Sequence, residues 1–355
     1  MMRKKLLPKN RKAAFRIKTH FLVHNYNSER FQLFPELLPF LLTILLLHDF
    51  IEKQNKKIIT MKKKMKAIVA TGYGAPDVLK IKEVEKPQPK ENEVLVKVHA
   101  TSATTADGMM RTGKPYFGRL MTGLTKPKHP IPGTGFAGTI VATGQNIRRF
   151  NLGTRVFGET TLGFSTNAEY VAVPENGVIL PMPENMSYAE AATFGDGHVT
   201  SFNFLKEIAN IKPGQKVLIN GASGSLGTAA VQIAKYMGAE VTAVTSTRNV
   251  GLVKSLGADH VIDYTKKDFT NSNKTYDVVF DTIGKSSFSK SKNILSEKGT
   301  YVSPVLKLSL LFQMMWTSAF SKKKAKFAAT GLRKDDELRD MFSDLVKIFK
   351  EGRLK

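Results

Sequence analysis

Residues 217–249 constrain the fold of this chain most strongly. An apolar strand, "VLIN", leads into a turn with Gly221, Gly224 and Gly227 at three-residue spacing, followed by the helical pattern "TAAVQIAKYMG" and a second apolar strand, "EVTAV". A helix between two strands carries the chain back to the edge from which the first strand started, so the two strands run parallel. The segment therefore predicts a β-α-β unit at the start of a parallel sheet.

The glycine-rich turn predicts a site for a dinucleotide. Glycines at this spacing allow a tight turn, a close approach of the backbone to a diphosphate, and close packing of the helix on the strand. The helix N-terminus then offers amide N–H groups to the phosphates. An ordinary tight turn is the alternative. The predicted contacts are Gly221, Ala222, Ser223, Gly224, Ser225, Leu226 and Gly227.

The end of the second strand predicts which dinucleotide binds. Proteins that bind NAD place an acidic residue there for the ribose 2′-hydroxyl. This strand ends instead in hydroxyl side chains and an arginine, which favour a 2′-phosphate. We expect Ser246, Thr247 and Arg248 to contact NADPH in preference to NADH. Alternatively, Arg248 only begins the next helix.

The alternation of strands and helices continues to the C-terminal region. "HVIDY", "YDVVFD", "TYVSP" and "KFAAT" bring the parallel strands to six, and a helix is expected over residues 287–299. Ligands of such sheets lie at the carboxyl ends of the strands. The predicted wall or cofactor contacts are therefore Tyr264, Thr282, Ile283, Gly284, Val302 and Ser303.

An earlier segment, residues 65–183, has a different pattern. Short β-branched strands such as "KAIVAT", "EVLVKVHA" and "NAEYVAVP" alternate with Gly, Pro and Asn turns, which predicts a mostly antiparallel β domain. At "SYAEAATF" a helix should begin, with Ser187 as N-cap and Glu190 completing a capping box. The predicted division is an extension over 1–64, a β domain over 65–183 and a dinucleotide-binding domain over 184–355.

The extension over residues 1–64 is strongly basic and leaves three interpretations open. It carries 15 of the 54 lysines and arginines, and its apolar stretch, residues 33–47, is broken by prolines and an acidic residue. It is a membrane anchor, a targeting segment, or translated upstream sequence, which we favour because a self-contained pattern begins at Met65. Membrane contact through 33–47 would accompany the first interpretation.

Composition restricts the chemistry available to the chain. Cysteine is absent, so disulfides, thiolate nucleophiles and cysteine-ligated zinc are excluded. The formal net charge of +24 raises the question of nucleic acid. Beyond residue 64, however, single lysines lie among acidic residues, and no module of interleaved basic and aromatic residues occurs. We expect no nucleic-acid partner and a cytoplasmic location, with membrane association as the alternative.

Several long motifs resemble one enzyme family. They are "MKAIVATGYGAPDVLKI", "PGTGFAGTIVATG", "GTRVFG", "AEYVAV", "IKPGQKVLINGASGSLGTAAVQIAKYMGAEV" and "LVKSLGADHVIDY". From Met65 onward the chain resembles the zinc-independent medium-chain dehydrogenase/reductases, in their NADPH:quinone oxidoreductase-like branch. The resemblance implies an α/β fold: a GroES-like, mostly antiparallel β catalytic domain plus a doubly wound parallel Rossmann sheet. It also implies hydride transfer from NADPH to a quinone or an α,β-unsaturated carbonyl.

The same resemblance argues against a catalytic zinc. Thr104 stands where alcohol dehydrogenase relatives carry a cysteine ligand, and Gly133-Thr134-Gly135 stands for their Gly-His-Glu. Hydroxyl and glycine positions do not make a zinc site, so we predict no metal. Acceptors that take hydride readily are then the suitable substrates.

The resemblance suggests four catalytic candidates. Thr104, Asp107 and Thr200 match positions that line the family's cleft, with Thr200 near the nicotinamide end. Asp107 is either functional or structural, since the family's asparagine before it is replaced. His198 stands where glycine is commoner, and it either protonates the reduced acceptor or caps the helix.

Two features bear on partners. The apolar run over residues 305–320 either covers the cofactor cleft, forms the interface of a possible homodimer, or contacts a membrane.

A stripe of Leu338, Met341, Phe342, Leu345 and Phe349 predicts a last helix, after which the family's final catalytic strands are not found. We therefore expect an open sheet edge, with turnover affected more than cofactor binding. The alternatives to an active reductase are a non-catalytic NADPH-binding protein and a membrane-tethered reductase.

Overall fold

The computed structural model describes residues 63–114 and 116–354 and, before them, only Thr43, Leu46, Leu47, His48, Phe50 and Ile51. The chain divides into two units, Met1–Lys63 and Lys64–Lys355. Most of the predicted extension, including nearly all of residues 33–47, lies outside the described residues. No helix within the described part is long and apolar enough to cross a bilayer.

A curled antiparallel sheet forms the first half of the larger unit. A two-stranded pair, β1 (Lys64–Ala70) and β2 (Leu79–Glu85), precedes a five-stranded sheet in the order β6-β3-β4-β5-β7. Its strands are β3 (Glu93–Thr101), β4 (Gly135–Thr143), β5 (Arg155–Glu159), β6 (Tyr170–Pro174) and β7 (Val178–Pro181). Alternating apolar residues such as Val94, Val96, Phe136, Val156 and Val171 are buried in its core. This confirms the predicted GroES-like β domain.

A six-stranded parallel sheet forms the second half, in the order β10-β9-β8-β11-β12-β13. The strands are β8 (Lys216–Asn220), β9 (Glu240–Thr245), β10 (His260–Asp263), β11 (Tyr276–Asp281), β12 (Leu295–Val302) and β13 (Lys324–Lys326). This is the doubly wound strand order of dinucleotide-binding folds. The chain first adds β9 and β10 on one side of β8 and then β11, β12 and β13 on its other side. The predicted Rossmann sheet is confirmed.

Helices occur in both halves, the first two between β3 and β4 and the others from Tyr188 onward. They are α1 (Thr105–Thr112), α2 (Arg119–Thr122), α3 (Tyr188–Ala192), α4 (Val199–Phe202), α5 (Ser225–Tyr236), α6 (Val250–Ser255), α7 (Phe288–Ser291), α8 (Leu308–Phe320) and α9 (Asp335–Lys350). Two π-helical segments, Phe194–His198 and Asn203–Ile208, flank α4. Such segments are rare and occur often at functional sites.

The helix boundaries follow local sequence signals. Ser187 Oγ accepts a hydrogen bond from the Glu190 amide at 3.2 Å, and Glu190 Oε2 accepts one from the Ser187 amide at 2.8 Å. The predicted capping box is confirmed. The stripe on α9 is also confirmed, since Leu338, Met341, Phe342 and Leu345 are buried in the core.

Two boundaries were predicted wrongly. The helix expected over residues 287–299 is only the short α7, because β12 already begins at Leu295 to pair with β11. The last strand is not "KFAAT" but Lys324–Lys326, whose register against Thr300–Val302 of β12 fixes it earlier in the chain. In both cases pairing between strands overrides local propensity.

Helix α8 carries the largest exposed apolar side chains of this half. Leu310 and Thr317 are buried, whereas Phe312, Met315, Trp316 and Phe320 are at least 65% exposed. The described residues do not show what covers this face, so its role in a dimer, a cleft or a membrane contact stays a prediction.

Candidate functional site

The turn after β8 is built so that only glycine fits its first position. Gly221 has φ +81°, and a Cβ added to it would lie 2.7 Å from both Thr282 Oγ1 and Ile283 Cγ2. A side chain here would therefore be strained and would collide with the neighbouring strand's end. The chain turns sharply at Gly221, and the amides of Gly221 and Ala222 donate to Val244 O of β9 at 3.2 and 3.0 Å, which ties the turn to the sheet.

The N-terminus of α5 is free to receive an anion. Its N-cap, Gly224, makes no side-chain capping bond, and a Cβ there would meet only Gly221 O at 3.5 Å. A Cβ on Gly227, by contrast, would lie 2.2 Å from Gly221 O, so this glycine lets the helix pack closely on the turn. The first amides of a helix lack partners within it. Those of Ser225, Leu226 and Gly227 therefore fit a diphosphate.

The π-helical segment Phe194–His198 and helix α4 also pack closely against the N-terminus of α5. A Cβ on Gly197 would lie 2.5 Å from Ser225 Oγ, and Ser201 Oγ donates to Leu226 O at 2.7 Å. Thr200, which is half-buried, lies in the same turn of helix between these two contacts. Thr200 therefore lies on the helical segment that packs against the N-terminus of α5, and its place near the nicotinamide end stays a prediction.

Residues at and just after the end of β9 hydrogen-bond Ser223 of the turn. Thr245 Oγ1 donates to Ser223 Oγ at 2.9 Å, and Asn249 Nδ2 donates to the same oxygen at 3.0 Å. Arg248 is exposed and makes no ion pair or hydrogen bond within residues 63–354 as described. Its guanidinium therefore remains available to a ligand at this edge of the sheet.

A carboxylate that sequence reasoning missed lies at the same edge. Asp263 ends β10, where it aligns with Thr245 of β9. Its oxygens accept hydrogen bonds from Thr247 Oγ1 at 2.5 Å and from Thr265 Oγ1 at 2.7 Å. The bond from Thr247 holds the pKa of Asp263 below its ordinary value. The expectation considered only the end of β9, and the acid comes from the next strand.

The remaining cofactor candidates divide into exposed and buried positions. Tyr264 and Ile283 are exposed by 59% and 45%, and Gly284 has φ +64°. Thr282 Oγ1 donates to Asn220 O at 2.8 Å. Val302 and Ser303 are buried, and the Ser303 hydroxyl donates to Asp281 O at 2.9 Å. The side chains of these last two are thus part of the core beneath the cleft.

Thr104 and Asp107 form the cap of α1. Thr104 Oγ1 accepts from the Asp107 amide at 3.3 Å, while Asp107 Oδ2 accepts from the Thr104 amide at 2.8 Å. Asp107 Oδ1 accepts from the amide of Gly133 at 3.1 Å. These bonds give Asp107 a structural role, which ties α1 to the 133–135 segment.

His198 is a core residue rather than a cleft residue. Its ring is 8% exposed and stacks on Phe194, with centroids 4.5 Å apart. Burial lowers the pKa of His198 to about 4, against a smaller opposite effect of the Thr193 carbonyl. A neutral, buried imidazole fits the structural interpretation better than that of a proton donor.

Two further carboxyls, Glu159 and Asp196, were not among the sequence candidates. Burial raises the pKa of Glu159 to about 8, and the negative charges of Asp196 and Asp107 add to it. Burial and Asp107 raise the pKa of Asp196 to about 6. The available signal was weak: each acid follows an apolar residue and a glycine, in "VFGE" and "FGD". Perturbed acids in a cleft are candidates for function.

No metal centre is found in the part of the chain that the structure describes. No three His, Cys, Asp or Glu side chains there are grouped so that they could hold an ion. At the positions that match zinc ligands, Thr104 and Thr134 supply only hydroxyl groups, which do not form a tetrahedral zinc site.

Two family models match the chain. "Alcohol dehydrogenase GroES-like domain" covers residues 90–184, and "Zinc-binding dehydrogenase" covers residues 225–332. The two models correspond to the antiparallel and the parallel halves of the fold.

Curated relatives and a solved structure extend this likeness. The chain is 35% identical over 277 residues to the quinone-oxidoreductase homolog of Spinacia oleracea chloroplasts, covering 74% of this chain and 82% of the relative. It is 34% identical to the NADPH-dependent alkenal/one oxidoreductase of Arabidopsis thaliana chloroplasts, covering 68% of this chain and only 62% of that protein. The quinone oxidoreductase from Coxiella burnetii superimposes with a TM-score of 0.72 at 28% identity, covering 82% of this chain and 90% of the other.

Proposed function

Since the chain belongs to the quinone oxidoreductase branch of the medium-chain dehydrogenase/reductase family, we propose that it reduces quinones or α,β-unsaturated carbonyls with NADPH and without zinc. The observation that carries the proposal is the uncapped N-terminus of α5, which follows the strained Gly221 turn and lies beside Thr200. This arrangement fits a dinucleotide diphosphate next to a second domain.

The preference for NADPH rests on the exposed edge of β9. A 2′-phosphate would meet the Arg248 guanidinium and the Ser246 hydroxyl, whereas the Thr247 hydroxyl already donates its proton to Asp263. The Asp263 carboxylate is already bonded to Thr247 and Thr265, so its acceptor oxygens are directed at those hydroxyls. The Arabidopsis relative is named for its dependence on NADPH, which supports the same choice.

Each part of the site has a defined task in the reaction. The bound nicotinamide would supply a hydride, and a quinone or enone accepts it without a metal Lewis acid. The α5 amides would hold the diphosphate, and Gly197 and Gly227 let the neighbouring segments approach α5 and its turn closely. The hydroxyl side chains at the positions of zinc ligands support the proposed independence of zinc.

The direct test is NADPH oxidation by the purified chain with a panel of quinones, enones and simple alcohols, with and without a chelator. We expect turnover with quinones or enones, faster with NADPH than with NADH, and no effect of the chelator. Binding of NADPH without turnover of any acceptor would favour the non-catalytic alternative. The homodimer and the cytoplasmic location stay predictions.

A further inference from the structure

Three carboxyl groups from distant parts of the chain meet beside the 133–135 segment. Glu159 ends β5, Asp107 lies in the first turn of α1, and Asp196 lies in the first π-helical segment. Glu159 is paired with Gly135 across β5 and β4, and the next amide, that of Thr160, donates to Thr134 O at 2.9 Å. A Cβ on Gly195 would lie 3.7 Å from Glu159 Oε2. Glu159 therefore lies between the 133–135 segment and the π-helical segment that carries Asp196.

This position coincides with the reacting centre that the resemblance implies. Thr104 and Thr134 occupy the two places at which zinc-dependent relatives carry cysteine and histidine ligands. Asp107 is hydrogen-bonded to Thr104 and Gly133, and Glu159 is paired with Gly135, so both acids are neighbours of those places. Glu159 also lines a cavity of about 420 Å³ together with Thr160, Thr161 and Phe164.

The surroundings of Glu159 favour its neutral form. Burial is the largest effect, and the carboxylates of Asp196 and Asp107 act in the same direction, while the Thr134 hydroxyl opposes them. No lysine or arginine in the described residues forms an ion pair with Glu159. Elsewhere in that part of the chain, eight ion pairs join a lysine or arginine to a carboxylate, and a ninth joins a histidine to one. With its pKa near 8, Glu159 still carries its proton at neutral pH.

We propose that Glu159 is the proton donor of this reduction, giving its carboxyl proton to the acceptor as hydride reaches the acceptor's electrophilic carbon. This inference rests on the proposed function and names a catalytic residue for it. In an enone, a C–H bond forms at the β-carbon, the C=C π electrons move towards the carbonyl oxygen, and that oxygen takes the proton. The coenzyme is oxidised and the acceptor is reduced. Glu159 becomes a carboxylate and regains a proton from water in the cavity.

The neighbouring acids favour reprotonation of Glu159 after it has donated its proton. Once Glu159 has lost its proton, three carboxyl groups are close together, and their mutual repulsion favours recapture of a proton. His198, on the same π-helical segment as Asp196, is stacked on Phe194 with a pKa near 4 and contributes no positive charge at neutral pH. Asp196 and Asp107 therefore act on Glu159 through their charge.

The decisive variant is Glu159→Gln, which keeps the shape of the side chain and removes its acidic proton. We expect kcat to fall by about 100-fold, the lower end of what a general acid contributes, with an unchanged KM for NADPH. In the native protein the rate should fall as the pH rises through about 8, because the donor then loses its proton. In Glu159→Gln this alkaline decline should be absent.

Asp196→Asn separates a proton donor from a residue that only supports the fold. Removing the negative neighbour should lower the pKa of Glu159 and move the alkaline decline to lower pH, while the rate at about pH 6 stays close to native. Glu83→Gln, on the exposed face of β2, is the matched control and should change neither quantity. A Glu159→Gln protein within twofold of native kcat, with the same alkaline decline, would overturn the proposal.

A measurement without acceptor checks the protonation state directly. Infrared difference spectra between about pH 7 and about pH 10, a window in which Asp196 is already mostly ionised, should show a protonated carboxyl band that disappears with rising pH in the native protein and is missing in Glu159→Gln. Its presence unchanged in the variant would contradict the assignment. A native protein that binds NADPH and reduces no quinone or enone contradicts the proposed function, whereas an active native protein matched by an equally active variant contradicts only the role of Glu159.

Discussion

The side-chain amide of Asn220 donates a hydrogen bond of 2.9 Å to the fully buried carboxylate of Asp281. The two residues are the last of β8 and β11, adjacent strands at the point where the cofactor is expected. Asp281 Oδ2 also accepts from the Ser286 amide and the Tyr301 hydroxyl, both at 2.8 Å. One buried acid therefore holds together the ends of three strands beneath the cleft.

Asp281→Ala should destabilise the protein strongly. Removing the acceptor leaves the Asn220, Ser286 and Tyr301 donors buried without partners, a loss of about 3 kcal/mol in the free energy of unfolding. Glu297→Ala on β12 is the control, because Glu297 is exposed and only pairs with Lys322, so it should cost less than about 1 kcal/mol. Urea denaturation measures both. Equal effects of the two variants would refute this role of Asp281.

Arg248→Ala should reduce the preference for NADPH. The exposed guanidinium has no protein partner among the described residues, so its loss removes a charge from the expected 2′-phosphate position without disturbing the fold. We expect the Kd for NADPH to rise about tenfold and the Kd for NADH to stay the same, as measured by fluorescence titration. Lys254→Ala, an exposed cation on α6, is the control. Parallel weakening of both coenzymes by Arg248→Ala would contradict the proposed contact.

Gly227→Ala should disrupt the cofactor turn. The new methyl group would lie 2.2 Å from Gly221 O, which is backbone and cannot move aside cheaply. We expect a loss of about 2 kcal/mol in stability and loss of coenzyme binding. Gly251→Ala on α6 has nothing within 4 Å and should be neutral or stabilising by about 0.5 kcal/mol, since alanine is the better helix former. Thermal unfolding with and without NADPH distinguishes the two.

His198 should make the protein less stable in acid. Its folded pKa is near 4, below its ordinary value, so the unfolded state binds the proton more readily. The stabilising contribution is therefore complete above about pH 6.5 and is lost as the pH falls towards about 4. His198→Gln should show a smaller decrease of Tm over this window than the native protein. The exposed His129→Gln should follow the native curve, and a His198→Gln curve parallel to it would refute the assignment.

Local sequence was sufficient for the parallel order of the second half, although not for the helix over 287–299 or the position of β13. The strand "VLIN", the Gly221, Gly224 and Gly227 spacing and the following helix are consecutive, so each signal acts on its immediate neighbours, and the parallel sheet follows from repeating the unit. The capping box at Ser187 and the stripe on α9 are equally local. The antiparallel half and the family likeness were available for the same reason, from short strands and ordered motifs.

Tertiary structure alone decided the chemistry of the carboxyl groups. Asp263 reaches Thr247 because β10 pairs beside β9, and Asp107, Glu159 and Asp196 meet because a cap, a strand end and a π-helical segment converge from positions far apart in the chain. Burial, which no linear pattern of single acids reveals, then shifts the proton affinities of Glu159 and His198 in opposite directions. The sequence by itself predicted where a coenzyme binds, and the folded chain decided which of the buried acids and imidazoles hold a proton at neutral pH.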